Sequence, residues 1–182
     1  MKTCNKLVRD NVTEILKTQG YKEIKGKKLK GEKYKAKLYS LFLQEYKETL
    51  NTDEIAELHV HYADMLEVIR TLMITTKTNI KEIDFEKGQP MEWYQRTLSF
   101  KSKLNTARID LLQKFDELLQ IKTEAVKDQL GDILHSFRQL VEANNISFID
   151  VEKVRRIMFK KLGGFSQGVY LVSVSQLKTH AV

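Results

Sequence analysis

The amino-acid sequence predicts an all-α protein, a helical bundle built from two degenerate helical-hairpin repeats in one chain. Residues 43–50 (LQEYKETL) and 112–119 (LQKFDELL) are identical at four of eight positions. A small residue, an aspartate and an apolar pair then follow in each copy, at 63–66 and 131–134. Leu, Lys, Glu, Gln and Ile dominate the composition, which favours helix. One proline and eight glycines among 182 residues argue against a β-sandwich.

Hydrophobic periodicity and capping residues predict the elements in order. The N-terminal half should contain a helix at 6–19, a lysine-rich loop or short extended excursion at 21–31, and helices at 32–50 and 53–75. The C-terminal half should contain helices at 104–120, 122–143 and 148–162, the last ended by a Gly-Gly pair, and an extended or strand-like segment near 169–172. The domain prediction is a first half at 1–80, a connecting segment at 81–103 and a second half at 104–182, both halves forming one bundle.

The distribution of charged and apolar residues indicates which classes of partner and which cellular compartment to expect. Between Tyr21 and Leu38 there are eight lysines and two glutamates, in a chain of net charge +7. Such a lysine run is usually a solvent-exposed face of a loop or helix. The functional interpretation is that it forms an electrostatic funnel for a phosphorylated ligand or nucleic acid. No nucleic-acid motif accompanies the lysines, so we do not expect a nucleic-acid partner. No apolar run approaches the ~20 residues that span a bilayer, and the single Cys4 excludes an intrachain disulfide. We therefore predict a cytoplasmic protein without a membrane partner.

Acidic residues recur at helical spacing in the first predicted hairpin. Glu45 and Glu48 are three residues apart, as are His61 and Asp64 on the next helix, and Glu67 follows one turn later. Residues at this spacing project from one helix face, so two antiparallel helices would bring them together. Mg²⁺ is usually held by a few carboxylates and substrate phosphates, a chemistry that suits cleavage of a phosphoanhydride by an activated water. The alternative is a charged helix face carrying surface ion pairs.

Sequence motifs near the two ends of the chain favour the metal-site interpretation over the charged helix face. Residues 6–12 (KLVRDNV) resemble the KLVRDKI opening of small phosphoribosyl-ATP pyrophosphohydrolase-like proteins, which belong to the MazG-like all-α nucleotide pyrophosphohydrolase superfamily. Residues 161–171 (KLGGFSQGVYL) are similar to the end of those proteins. Their E-x-x-E and E-x-x-D metal signature is matched by 45–48 and by 61–64, except that His61 stands where the family has glutamate.

The resemblance implies a metal-dependent hydrolase that converts nucleoside triphosphates to monophosphates and pyrophosphate, in nucleotide-pool house-cleaning. It implies Mg²⁺, or Mn²⁺, as the cofactor and Glu45, Glu48 and Asp64 as catalytic metal ligands. Glu67, Glu57 or His61 would complete the metal shell. The residues expected to bind substrate phosphates are Lys6, Arg9 and Lys161, although Arg9 could instead form a structural ion pair with Asp10.

The second copy departs further from the signature. Lys114 and Gln129 replace two of its acidic residues, so we expect at most one metal site per chain, in the first copy. Two alternatives remain open: a catalytically weakened nucleotide-binding or regulatory protein on the same fold, and a helical nucleic-acid-binding protein that uses the lysine run. Members of this superfamily often form dimers, so the resemblance also allows a homodimer of this chain. Phe165 and Trp93 could stack on a base or pack in the core.

Overall fold

The computed structural model describes residues 2–76, 100–120 and 125–176. Within them the chain forms six helices and a three-stranded antiparallel sheet, an α+β fold, so the all-α prediction is wrong. The elements are β1 (Lys2–Leu7), α1 (Val12–Thr18), β2 (Tyr21–Lys28), α2 (Gly31–Asn51), α3 (Ile55–Thr75), α4 (Phe100–Gln120), α5 (Val126–Ala143), α6 (Phe148–Leu162) and β3 (Val169–Gln176).

The sheet joins the two ends of the chain. Its order is β1-β3-β2, and the C-terminal strand β3 pairs antiparallel with both N-terminal strands. In one cross-strand row Leu7 pairs with Tyr170, which pairs with Lys27. The predicted helix at 6–19 is therefore wrong in its first part, since the strand continues to Leu7 and the helix begins at Val12. The segment 21–31, predicted as a loop or short extended excursion, is mostly strand.

The long helices are confirmed to within a few residues of their predicted bounds. Helix α2 packs on α3 and α4 packs on α5, while α3 also contacts α5 and α6. Phe42 of α2 stacks on Phe115 of α4, with ring centroids 3.9 Å apart. Tyr62 of α3 meets Phe137 of α5 edge to face. All four rings are buried, so the two hairpins share one hydrophobic core.

A smaller cluster lies under the sheet, where α1 covers one face. Val8, Leu171 and Val174 are buried there against Val12 and Leu16 of α1. The backbone between β1 and α1 is tied to the segment that precedes β3. The Val8 amide donates to the Val169 carbonyl at 2.9 Å, and the Asp10 amide donates to the Gly164 carbonyl at 2.7 Å. These bonds place the start of the chain beside the end of α6.

The sheet contains strands from both predicted halves of the chain. Strands β1 and β2 belong to the predicted first half and β3 to the second, so the halves share a sheet as well as a core. Most of the predicted connecting segment, 81–103, and Trp93 lie outside the described residues. In the described parts of the chain, no helix is both long enough and apolar enough to span a bilayer.

Replacing Gly168 with alanine should destabilise the fold. Gly168 has a φ of +63°, and an added Cβ would overlap the carbonyl oxygen of Leu29. We expect the free energy of unfolding, measured by urea denaturation, to fall by about 2–4 kcal/mol. Gly20→Ala is the matched control, because Gly20 has a φ of +86° but open space around it, and it should cost only about 1 kcal/mol. Equal losses in the two variants would show that the close approach of Leu29 does not matter.

Candidate active site

A buried arginine anchors the site. Arg9 follows β1 and is 4% exposed. Its Nε and Nη2 donate to Oδ1 of Asp64 on α3 at 3.0 and 2.5 Å, and its Nη1 donates to the Gly163 carbonyl at 2.8 Å. The guanidinium also lies 5.0 Å from the ring centroid of Phe165. Arg9 thus pairs with Asp64 and not with Asp10, whose carboxylate instead accepts hydrogen bonds from residues 166 and 167.

A glutamate–histidine pair lies next to this arginine on the α2–α3 hairpin. Oε2 of Glu45 is 2.8 Å from Nδ1 of His61. Burial raises the pKa of Glu45; the hydrogen bond to His61 opposes that rise, while the negative charges of Asp64 and Glu48 add to it. The carboxylates of Glu45, Glu48 and Asp64 are thus close enough to influence one another electrostatically. The short turn between α2 and α3 makes the helices antiparallel neighbours, which is why residues sixteen apart in sequence meet.

Arg9, Glu45 and Asp64 border a cleft of about 520 Å³ between the sheet and helices α1, α2, α3 and α6. Glu45 and Asp64 contribute carboxylates to its lining, and Lys6 and Arg9 contribute cations. The rest is an apolar wall with a few polar side chains, so the cleft offers an apolar surface next to opposite charges. The lining residues are Lys2, Thr3, Cys4, Lys6, Leu7, Val8, Arg9, Val12, Leu16, Tyr21, Leu41, Gln44, Glu45, Asp64, Met158, Leu162, Phe165, Leu171 and Val174.

Five predicted site residues are not part of the cleft lining: Glu48, Glu57, His61, Glu67 and Lys161. Glu67 is 3% exposed and forms a buried ion pair with Arg155 of α6 at 2.5 Å, an arrangement that argues against Glu67 as a metal ligand. Lys161 is exposed on the last turn of α6. Glu48 is half-buried one turn beyond Glu45, without a hydrogen bond or ion pair to any described residue. Glu57, the other predicted ligand, accepts a hydrogen bond from Thr52 where α3 begins.

The side chains present fit a cation that arrives with a ligand better than a preformed metal cage. Among residues 2–76, 100–120 and 125–176, no three His, Cys, Asp or Glu side chains are grouped so that they could hold a metal ion. Mg²⁺, however, usually keeps several waters and binds through one or two carboxylates and substrate phosphates. Glu45 and Asp64 supply two such carboxylates at the cleft, and Oδ2 of Asp64 carries no hydrogen bond from a described residue.

The second hairpin has a polar network where the first has its carboxylates. Lys114 donates to Asp110 at 3.0 Å and to the fully buried Ser136 at 2.8 Å. Gln129 donates to the Lys114 carbonyl at 2.8 Å and to Glu117 at 3.1 Å. Lys114 and Gln129 therefore form hydrogen bonds within their own hairpin, in place of the two acidic residues of the signature.

Several residues around the site were not predicted from the sequence. Gln44 lines the cleft one position before Glu45. Arg155 is held by both Glu67 and Glu152, and the spacing of Glu152, Arg155 and Arg156 at i, i+3 and i+4 is a signal that could have indicated this network. Phe165, considered for base stacking, is 3% exposed and belongs to the core. Gly163 ends α6 with a φ of +76°, as predicted for a helix C-cap.

No protein-family model, curated protein or solved structure matches this chain.

Replacing Arg155 with methionine should destabilise the protein strongly. The change leaves the carboxylate of Glu67 buried and unpaired, which typically costs about 3–5 kcal/mol. Arg156→Met removes the same charge from the next position, where the side chain is 70% exposed, and should cost less than about 1 kcal/mol. Urea denaturation measures both. Adding Glu67→Gln to Arg155→Met should recover most of the loss, and no recovery would contradict a buried ion pair.

The stability contributed by Glu152 should depend on pH. Burial acts to raise its pKa, but hydrogen bonds from Arg155 and Arg156 outweigh burial and lower the pKa to about 2. A carboxylate whose pKa is depressed by folding stabilises the protein above its ordinary pKa of 4.5, and this contribution is lost as pH falls towards 2. The wild type should therefore be more stable than Glu152→Gln at pH 6, and the difference should shrink by pH 3. A constant difference over this range, measured by urea denaturation, would contradict the assignment.

Proposed function

We propose that the cleft binds nucleoside triphosphates and hydrolyses them to nucleoside monophosphate and pyrophosphate, with Mg²⁺ or Mn²⁺ entering alongside the nucleotide. The observation that carries the proposal is that Glu45 and Asp64 share one cleft with Lys6 and Arg9. Carboxylates can hold a divalent cation while lysine and arginine bind phosphate oxygens. The resemblance of residues 6–12 and 161–171 to MazG-like pyrophosphohydrolases supports the same reaction.

Each charged residue of the cleft would have a role that follows from its position. Lys6 is exposed on β1 and would bind the phosphates, whereas the buried Arg9 orients Asp64 by holding its Oδ1. Oδ2 of Asp64 and a carboxylate oxygen of Glu45 would hold the cation, and His61 keeps Glu45 in place through Nδ1. When bound, the cation would offset charge on the phosphates and lower the pKa of a bound water. The apolar wall that includes Leu41, Met158 and Leu162 would receive the base.

In the proposed reaction the water oxygen bonds to the α-phosphorus and the bridging α–β P–O bond breaks. Pyrophosphate leaves with the electron pair of that bond. Glu48 lies next to Glu45 and has no partner among the described residues, so one of these two carboxylates would accept the proton from the attacking water. The proton then passes to solvent.

A second candidate is a protein on this fold that binds nucleotide without turnover. His61 occupies the position of a signature glutamate and bonds Glu45, and Arg9 already occupies one oxygen of Asp64. Both arrangements reduce the negative charge available to a cation. Thermal stabilisation by nucleotide without pyrophosphate release, under every divalent cation tested, would favour this candidate.

The decisive assay measures pyrophosphate and orthophosphate released from a panel of nucleoside triphosphates with Mg²⁺ or Mn²⁺. We expect pyrophosphate, and we expect Glu45→Gln to lower kcat by at least about a hundredfold, because it removes a carboxylate charge while keeping the side-chain size. Glu48→Ala should also lower the rate. Glu32→Gln is the matched control on the same helix, since Glu32 is 87% exposed and pairs only with Lys35 among the described residues; it should leave the rate unchanged.

Two results would contradict the hydrolase. Release of orthophosphate alone would place the cleavage at a different phosphorus. Full activity in Glu45→Gln, with far-UV circular dichroism unchanged, would place the chemistry outside the cleft.

A further inference from the structure

Two lysines from different elements converge on one aromatic ring at the surface. Lys27 lies on β2, Lys37 on α2 and Tyr170 on β3. The Lys27 ammonium is 5.6 Å from the centroid of the Tyr170 ring, and the Lys37 ammonium is 5.4 Å from the same centroid. Lys27 is exposed, and Lys37 and Tyr170 are partly exposed. A solvent-accessible ring with two ammonium groups is therefore assembled by residues that are distant in sequence.

The two positive charges have no acidic partner. In the described parts of the chain, neither ammonium forms a salt bridge with a carboxylate. The segment from Tyr21 to Leu38 contains two glutamates, and Glu32 is paired with Lys35. Like charges repel, so bringing two ammonium groups to one ring without a carboxylate leaves a local excess of positive charge. The tyrosine ring offsets part of that repulsion through cation–π attraction.

Protection of a sheet edge explains only part of this arrangement. Strand β2 is an edge strand, and lysines on edge strands discourage pairing with other chains. That explanation covers Lys22, Lys25 and Lys27, but Lys37 lies on a helix. The convergence of strand and helix lysines on Tyr170 points instead to recognition of an anion.

The ring lies beside the cleft without forming part of its lining. Tyr170 pairs with Leu7 across the sheet, and the neighbouring row pairs Leu171 with Lys6, which does line the cleft. An anion bound at Tyr170 would therefore be separate from Glu45 and Asp64.

We propose that Lys27, Lys37 and Tyr170 form a second anion-binding site, outside the cleft, for the phosphate chain of a nucleotide or of inorganic polyphosphate. Two point-like ammonium charges suit the adjacent phosphates of such a chain, which can neutralise both at once. The proposal does not depend on hydrolysis in the cleft, because none of the three residues belongs to the proposed catalytic machinery.

Titration of the full chain with tripolyphosphate, followed by two-dimensional ¹H–¹⁵N NMR, tests the site directly. The Lys27 and Tyr170 amides should report the new site, and the Asp64 amide should report the cleft. We expect Lys27→Gln/Lys37→Gln to weaken binding at the new site by about tenfold or more. Lys22→Gln/Lys25→Gln removes the same charge from the same strand and should change affinity by less than about twofold. Lys27→Arg/Lys37→Arg should retain binding.

Every outcome separates this site from its alternatives. Equal weakening in both glutamine double variants would overturn the proposal in favour of diffuse attraction. Binding of an oligonucleotide without binding of tripolyphosphate or ATP would overturn it in favour of a nucleic-acid surface. Loss of tripolyphosphate shifts at Tyr170 in Lys27→Gln/Lys37→Gln, with shifts at Asp64 retained, would support it. That result would stand even if no pyrophosphate is ever released.

Discussion

The arrangement of the site depends on one constraint: the buried guanidinium of Arg9 must be hydrogen-bonded and paired with a negative charge. A buried cation without partners is strongly destabilising, and here the partners are Oδ1 of Asp64 and the Gly163 carbonyl. The backbone bonds from Val8 and Asp10 to residues 169 and 164 hold the arginine in reach of both. One interaction therefore joins the start of the chain, the middle of α3 and the end of α6. It also fixes the orientation of a carboxylate at the cleft.

Strand β3 connects the region around Arg9 to the rest of the sheet and pairs with the strands that carry the two proposed binding surfaces. It lies between β1 and β2, and the loop before it is fixed by the hydroxyl of Tyr34, which donates to the Phe165 carbonyl at 2.5 Å. Leu171 lies opposite Lys6 at the cleft, and Tyr170 lies opposite Lys27 on the outer strand. Strand β3 thus pairs with both strands that carry the lysines of the two proposed surfaces, Lys6 on β1 and Lys27 on β2. Because β1 and β2 both pair with β3, the sheet brings Lys6, which precedes the lysine run, and Lys27, which belongs to it, to the two proposed surfaces.

The helices were predictable because their apolar residues repeat at helical spacing, and the hairpin pairing of Glu45 with His61 followed from that spacing. The sheet was not, because β1 and β2 are mostly polar on both faces and their partner lies more than 140 residues along the chain. Local patterns carry little information about such pairing. The long-range partner of Glu67 was also not predictable from local sequence. Glu67 follows Asp64 at i+3, yet it faces Arg155 of α6, a neighbour that no local spacing could indicate.

Asp64 and Glu67 of α3 each pair with an arginine, but in different surroundings, and this difference bears on the proposed chemistry. The Glu67–Arg155 pair is closed within the core, whereas Asp64 keeps 19% of its side chain exposed at the cleft. Because Arg9 already offsets the charge of Asp64, a divalent cation alone should gain little from this carboxylate. Nucleotide phosphates would give Lys6 an anionic partner and would also supply oxygens to the cation. Under the proposed function, each ligand therefore strengthens the binding of the other, and by linkage the coupling is reciprocal.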